Sequence, residues 1–327
     1  MRAFLTVLGD SIRLLRARAL FWISLGISLL AALLYLSIGF DEKGMTVLFG
    51  AFQIEDAFLV KGSKGAEMVY LALFSKVIIG MWLAWIATVI ALISCSPIFP
   101  EFLSEGSAGV ALSKPVSRPL LFFYKFAGAM LFVAVQTSLF AVIVFVAIRW
   151  RIGIWNPTVF WSVPVMILVF SYLYAVLAWL GIKTRSVMAS VLLTLLFWVM
   201  CFAALISEQL GYAAAHRGRS TLTGMELKEE EQSEWQSIYR WLSVPHAVLP
   251  KPGETSALLE RWIVLGDGRA LGGSTIDAMN DSGKWGNLDD AKDDLTRHSP
   301  AWIIGTSLLF EAVVLALACR MFSRRDF

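Results

Sequence analysis

The chain has 327 residues, 57% of them hydrophobic and only 16% charged. A soluble domain of that length needs more charge to cover its surface, so the composition excludes the ordinary soluble classes and points to an integral membrane protein. The net charge of +3 is small, and where the charges fall says more than their sum.

Residues 1–18 are too polar to span a membrane. Phe4, Leu5, Leu8, Ile12 and Leu15 recur at three and four, with Arg2, Arg13 and Arg16 largely on the other side. That spacing predicts an amphipathic helix lying in the membrane interface. A span needs roughly 20 mostly apolar residues. Six runs qualify: Ala19–Phe40, Val69–Ser94, Leu120–Ile148, Thr158–Gly181, Met188–Ile206 and Ala301–Met321. The first is too long for the apolar core of a signal peptide and no small-residue cleavage pattern follows it, so it reads as a retained helix.

Lys and Arg in short flanking segments set the orientation. Arg2, Arg13, Arg16 and Arg18, then Lys114, Arg118 and Lys125, then Lys183 and Arg185, and finally Arg320, Arg324 and Arg325 fall on one side of a six-span chain. That side is expected to be the cytoplasm, with both termini there. Arg149 and Arg151, in a short turn on the other side, go against the rule.

Between the first two spans, residues 41–68 contain TVLFGAFQI, a strand or re-entrant piece. Between the second and third lies SCSPIFPEFLSEGSAGVALSKPVSRP, residues 94–119. Pro97 and Pro100 are expected to end the second span, because proline removes a donor and clashes one turn back. Short surface helices follow, with Glu101 and Glu105 toward the cytoplasm. Pro115 and Pro119 fix an extended turn carrying Lys114 and Arg118. Lys125, one turn inside the third span, is placed to snorkel back to the interface. The result is a stiff, charged shelf under the membrane.

Residues 207–300 form the one large polar segment, expected outside the cytoplasm. MELKEEEQSEWQSIYRWL (225–242) reads as a helix. Residues 244–265 mix proline turns with a short apolar helix that dips into the leaflet or caps the spans. Residues 266–287 read as loop, and 287–298 as a short helix.

Lys76 and Glu311 are ionisable residues lying deep inside spans. Such groups are costly there and face the protein interior or water. Counting from the span ends, both lie roughly 10–15 Å deep. They read either as an ion pair between two spans, as polar points on a transport path, or as a snorkelling lysine and a neutral acid. Gln136, Ser138, Ser171, Tyr172 and Tyr174 suit interhelix hydrogen bonds. Gly80, Gly128 and Gly305 suit close helix approach.

Catalytic signatures are missing from the sequence. It has no phosphate-cradling Gly-x-x-x-x-Gly-Lys-Ser/Thr loop, no His-Glu-x-x-His and no Gly-x-Ser-x-Gly. His216, His246 and His298 are far apart in sequence, and Cys95, Cys201 and Cys319 have no metal-ligand or disulfide spacing. No enzyme activity, metal or cofactor of its own and no nucleic-acid partner is expected.

The proline-bounded shelf is more distinctive. Pro97, Pro100, Glu101, Glu105, Gly106, Leu112, Ser113, Lys114, Pro115, Val116, Ser117, Arg118 and Lys125, with a closing CRMFSRRDF, resemble the permease subunits of type-2 ABC exporters. The resemblance is close over about 35 residues, and its architecture covers the chain. It implies an all-α membrane protein of six transmembrane helices, with an N-terminal interfacial helix and a large extracytoplasmic segment between the fifth and sixth. It also implies pairing with a second permease subunit, a copy of itself or a close paralogue, and with separate ABC ATPase subunits that hold ATP and Mg. The shelf residues Glu101, Glu105, Gly106, Ser113, Lys114, Pro115, Arg118 and Lys125 would couple to the ATPase. Membrane lipids and a protein docking on 207–300 are further expected partners. Two rival readings are a scaffold or mechanotransmission subunit working through 207–300, and an ATP-independent secondary transporter.

Overall fold

The computed structural model describes residues 19–103, 117–218, 228–281 and 289–324. The predicted interfacial helix 1–18 and the shelf residues Glu105, Gly106, Ser113, Lys114 and Pro115 lie outside the described residues.

The described chain is predominantly helical. Five helical stretches are long and apolar enough to cross a membrane: Lys64–Phe102, Arg118–Ile152, Pro157–Thr184, Val187–His216 and Pro300–Ser323. The first apolar helix, α1 (Ala19–Leu36), is shorter than the predicted run, which continues into a β-strand.

Three short antiparallel strands follow in meander order: β1 (Gly39–Asp41), β2 (Gly44–Val47) and β3 (Phe52–Glu55). The register pairs Gly39 with Thr46 and Met45 with Ile54. Gly44 has φ +143°, and a Cβ there would stand 2.2 Å from the Ile54 carbonyl oxygen, so only glycine fits this turn. The TVLFGAFQI stretch is therefore strand, with a short helical turn at Leu48–Gly50.

The second span is built of α2 (Lys64–Ala72), a π-helical stretch (Leu73–Ala87), α3 (Thr88–Cys95) and α4 (Ile98–Phe102). Ser63 caps it by accepting from the Ala66 amide at 3.0 Å. Pro97 breaks the helix as expected, but Pro100 does not. It sits in the first turn of α4, where its missing N–H has no helical partner to lose.

α5 (Arg118–Ile152) begins on Pro119, whose fixed φ suits a first turn, and ends on Gly153 at φ +88°. α6 (Ser162–Thr184) is the central helix, buried on most sides. α7 (Val187–His216) is capped by Ser186. α8 (Glu229–Val248) folds back along the end of α7, where Gly211 lets Leu242 approach to 3.0 Å of a would-be Cβ. Short helices α9 (Pro252–Ala257), α10 (Leu259–Trp262), α11 (Leu271–Asp281) and α12 (Asp289–Thr296) precede α13 (Pro300–Ser323). Helix α11 corrects the loop expected over 266–287. Its run LGGSTIDAMND keeps Leu271 buried despite two glycines.

The core forms two clusters stacked along α6. One, at the end carrying the β-meander, includes Tyr35, Tyr70, Phe74, Ile148 and Leu259. There the Tyr35 hydroxyl donates to the Tyr70 carbonyl at 3.0 Å, and the Tyr70 hydroxyl donates to the Tyr35 carbonyl at 3.3 Å. The other, at the shelf end, includes Phe99, Phe122, Phe126, Tyr174 and Phe322.

Candidate functional site

Both ends of the bundle carry organised polar chemistry. At the shelf end, α4 docks on α6 because Gly181 is bare. A Cβ there would lie 3.3 Å from Pro100 Cδ. The ring of Phe99 packs against Phe122 at 5.2 Å and Phe322 at 6.4 Å, and Phe102 stacks on Phe322 at 5.9 Å. One short helix thus touches α5, α6 and α13 together. Glu101 is exposed on α4. Arg118 reaches the C-terminal end of α13, where its Nη1 donates to the Ser323 carbonyl at 3.1 Å. A guanidinium suits that place, since the last carbonyls of a helix lack internal donors. Lys125 reaches back to the shelf helix. It is buried, with Nζ 4.2 Å above the Phe102 ring.

The structure does not join Lys76 to Glu311. Lys76 Nζ lies 2.6 Å from Glu260 Oε1 of α10, and Glu311 Oε2 accepts from Ser171 Oγ at 3.0 Å. Similar depth along two helices did not make them neighbours, because the chain after α8 supplies a nearer carboxylate. Gln136 does link helices: its Nε2 donates to Ser28 Oγ on α1 at 2.8 Å. Gly305 has nothing within 4 Å of a would-be Cβ, and Gly80 meets only the Ser75 carbonyl of its own helix at 3.5 Å. Close helix approaches do occur at Gly181, against Pro100, and at Gly211, against Leu242.

Arg149 and Arg151 have local work that explains their position. Arg149 Nη1 donates to the Gly153 carbonyl, and Arg151 Nε donates to the Leu36 carbonyl at 2.8 Å. Each guanidinium sits at the C-terminal end of a helix, where cations are favoured.

At the meander end the chain between α8 and α9 enters the bundle. The Lys251 amide donates to Ser307 Oγ at 3.0 Å. Ser307 is seven residues into α13, so this turn lies about 10 Å below the helix start. Lys251 is 4% exposed. Its Nζ donates to Thr306 Oγ1 at 2.9 Å, the Leu249 carbonyl at 3.2 Å and the Ala247 carbonyl at 3.4 Å, and lies 4.3 Å over the Trp302 ring. Burial lowers its pKa, with the Glu254 charge opposing that shift.

Glu254 gathers two histidines that are 52 residues apart in sequence: His246 Nε2 lies 3.1 Å from Oε2 and His298 Nδ1 lies 3.2 Å from Oε1. Burial pushes this carboxyl up, but the two imidazoles outweigh it and bring it down to about 2. His298 stacks on Trp302 at 4.3 Å. Sequence spacing could not reveal this cluster; the signal present was the polar VLPKPGE stretch inside a proline-rich apolar segment.

Beside this turn is a cavity of about 250 Å³. Trp85, Trp198, Phe202, Leu205 and Pro252 supply apolar walls, with His246, Lys251 and Glu254 at its polar edge. Trp85 stacks on Trp198 at 4.7 Å.

Farther out, Glu208 is 1% exposed. It accepts from Tyr239 Oη at 2.9 Å and pairs with Arg297. Arg297 Nη1 also lies 3.8 Å from Asp294 Oδ1, and Arg217 bonds the same carboxylate at 2.9 Å. Compared with known proteins, the chain matches no family profile, no curated protein and no solved structure.

Proposed function

We propose that the chain is the membrane-spanning permease subunit of an ATP-driven ABC export complex. It would pair with a second permease subunit, a copy or close paralogue, while separate ATPase subunits hold ATP and Mg. Its polar segment 207–300 would lie outside the cytoplasm of a bacterial inner membrane. The observation that carries this reading is the seating of α4. Pro100 on Gly181, and Phe99 and Phe102 on Phe122 and Phe322, join the start of the shelf to α6, α5 and α13. A force applied to α4 by a closing ATPase would reach three spans through its direct contacts with them, which is what coupling requires. Together with the shelf motif, this favours a coupling element over a simple turn.

In this reading Glu101 and Glu105 meet the ATPase. Affinity capture from native membranes, read by mass spectrometry, is expected to recover an ABC ATPase with the wild-type chain. The double change Glu101→Lys, Glu105→Lys is expected to lose it. Capture that brings down no ATPase, or is unchanged by the reversal, overturns the assignment.

A second reading, a mechanotransmission subunit acting on a partner beyond the membrane, is favoured by the ties between the spans and the polar segment. Lys76–Glu260 and Lys251–Thr306 would pass span movement directly to residues 246–262. Recovery of a protein partner that needs 207–300, with no dependence of ATPase activity on cargo, selects it.

A further inference from the structure

We infer that the cavity beside the inserted turn binds the alkyl chain of a membrane amphiphile. The cavity itself requires no ATPase, so the inference stands apart from the permease reading; only its service as a cargo site would rest on it.

The polar edge is internally satisfied. Both Glu254 oxygens lie within hydrogen-bond distance of an imidazole, and the Lys251 ammonium has three oxygen partners and an aromatic ring beneath it. A ligand entering here would displace existing bonds to reach these groups, so its headgroup gains little from them. What remains to recognise is the apolar wall of Trp85, Trp198, Phe202, Leu205 and Pro252. A wall of this composition offers few polar partners to water, so hydrocarbon is the better occupant. Its volume of about 250 Å³ is enough for several methylenes of a chain.

The mouth indicates the source. Trp85 is 40% exposed and Phe202 42% exposed, and both line the cavity. Around them on the outer flank of the same helices stand Ile86, Val199, Met200 and Ile206, all exposed and apolar. The opening therefore faces the flank that meets lipid hydrocarbon, so a chain slides in sideways while its headgroup stays outside. Two membrane sources share that chemistry: a diacyl lipid lending one tail, and a single-chain amphiphile.

The test uses the purified full-length chain in lipid nanodiscs, without ATPase. It is photolabelled with a phosphatidylglycerol, or separately a lysophosphatidylglycerol, carrying a diazirine near the chain end. Labelled peptides are mapped by mass spectrometry. We expect label on both cavity walls, residues 198–205 and 249–256. Ala204→Trp, which fills the cavity, should reduce labelling of 249–256 about tenfold, equivalent to about 1.4 kcal/mol. Ala203→Trp, on the exposed side of the same helix, should leave it unchanged. If Ala204→Trp does not fold, Cys201→Phe fills the same wall and takes its place. Label on 249–256 from the diacyl probe identifies a bilayer lipid as the source, and from the single-chain probe a free amphiphile. No label on 249–256, or equal label in wild type and the filled variant, overturns the inference. Loss of labelling with ATPase capture intact would defeat this site alone, and the reverse outcome would defeat the permease reading alone.

Discussion

Lys76 Nζ and Glu260 Oε1 lie 2.6 Å apart, so a charge inside the second span is answered by a residue 184 positions later. The pair is asymmetric. The lysine side chain is 62% exposed and the carboxylate 11% exposed. Lys76→Met strands a mostly buried carboxylate. Its expected cost is about 1–3 kcal/mol, below the 3–5 kcal/mol of a fully buried pair. Glu260→Gln leaves the Lys76 ammonium inside the second span without its countercharge, and should cost about 2–3 kcal/mol less what the long stem recovers by snorkelling. Thermal unfolding in detergent gives both values. The exchange Lys76→Glu with Glu260→Lys should recover part of the loss, and a swap as unstable as Lys76→Met would contradict the pairing.

A second prediction concerns the fold of 207–300. Glu208 is buried, and its partners are Tyr239 of α8 and Arg297 just after α12. Arg297→Leu removes the countercharge from a carboxylate that cannot reach water. The expected cost is about 3–5 kcal/mol, concentrated where α7, α8 and α12 meet. Limited proteolysis should then cut between 217 and 298 while the spans stay protected. Adding Glu208→Gln to Arg297→Leu should restore much of the resistance, because the uncompensated charge is gone while Tyr239 keeps an acceptor. Equal sensitivity of single and double variants would argue against a buried charge as the cause.

Length and apolar content sufficed for five of the six predicted spans, since a bilayer demands long apolar helices and their runs stand out in the chain. Span ends were less legible. Capping residues such as Ser63 and Ser186 and the left-handed Gly153 extend the helices past their apolar cores, by chemistry that hydropathy ignores. The Lys76 partner and the His246–Glu254–His298 cluster were not legible at all. Both depend on the turn around Lys251 entering between helices, a long-range contact no local pattern encodes. The shelf motif was visible through its prolines, yet its docking depends on Gly181, a glycine with no local signature.

Glu254 makes stability depend on acid pH. Burial alone would raise its carboxyl, but the histidine contacts hold it at about 2 against an ordinary 4.5. A depressed carboxyl stabilises the fold above the unfolded value, and the contribution fades as pH falls from about 4.5 through about 2. Its size is on the order of 3 kcal/mol. Wild-type unfolding temperature should therefore drop across that window. Glu254→Gln should start lower at neutral pH and lose this part of the acid step. A variant whose profile parallels the wild type across the window would show that the carboxylate contributes nothing.

Gly181 and Gly305 offer opposite outcomes from one kind of change. A Cβ at Gly181 would press on Pro100 Cδ and Cγ at 3.3 and 3.4 Å, and a pyrrolidine ring cannot turn aside. Gly181→Ala asks α4 to shift by tenths of an ångström and should cost under about 1 kcal/mol. Gly181→Leu must lift α4 from α6, with an overpacking cost of about 1–3 kcal/mol. A Cβ at Gly305 would meet nothing within 4 Å and the position is exposed, so Gly305→Leu has room to point outward and replaces the poorest non-proline helix former, for a gain of up to about 1 kcal/mol. If the shelf couples to an ATPase, Gly181→Leu should also weaken the response of ATP hydrolysis to cargo in the reconstituted complex, while Gly305→Leu leaves it intact. Equal behaviour of the two leucine variants would mean that α4 is not held by its contact with α6, and that the mechanical route from shelf to spans lies elsewhere.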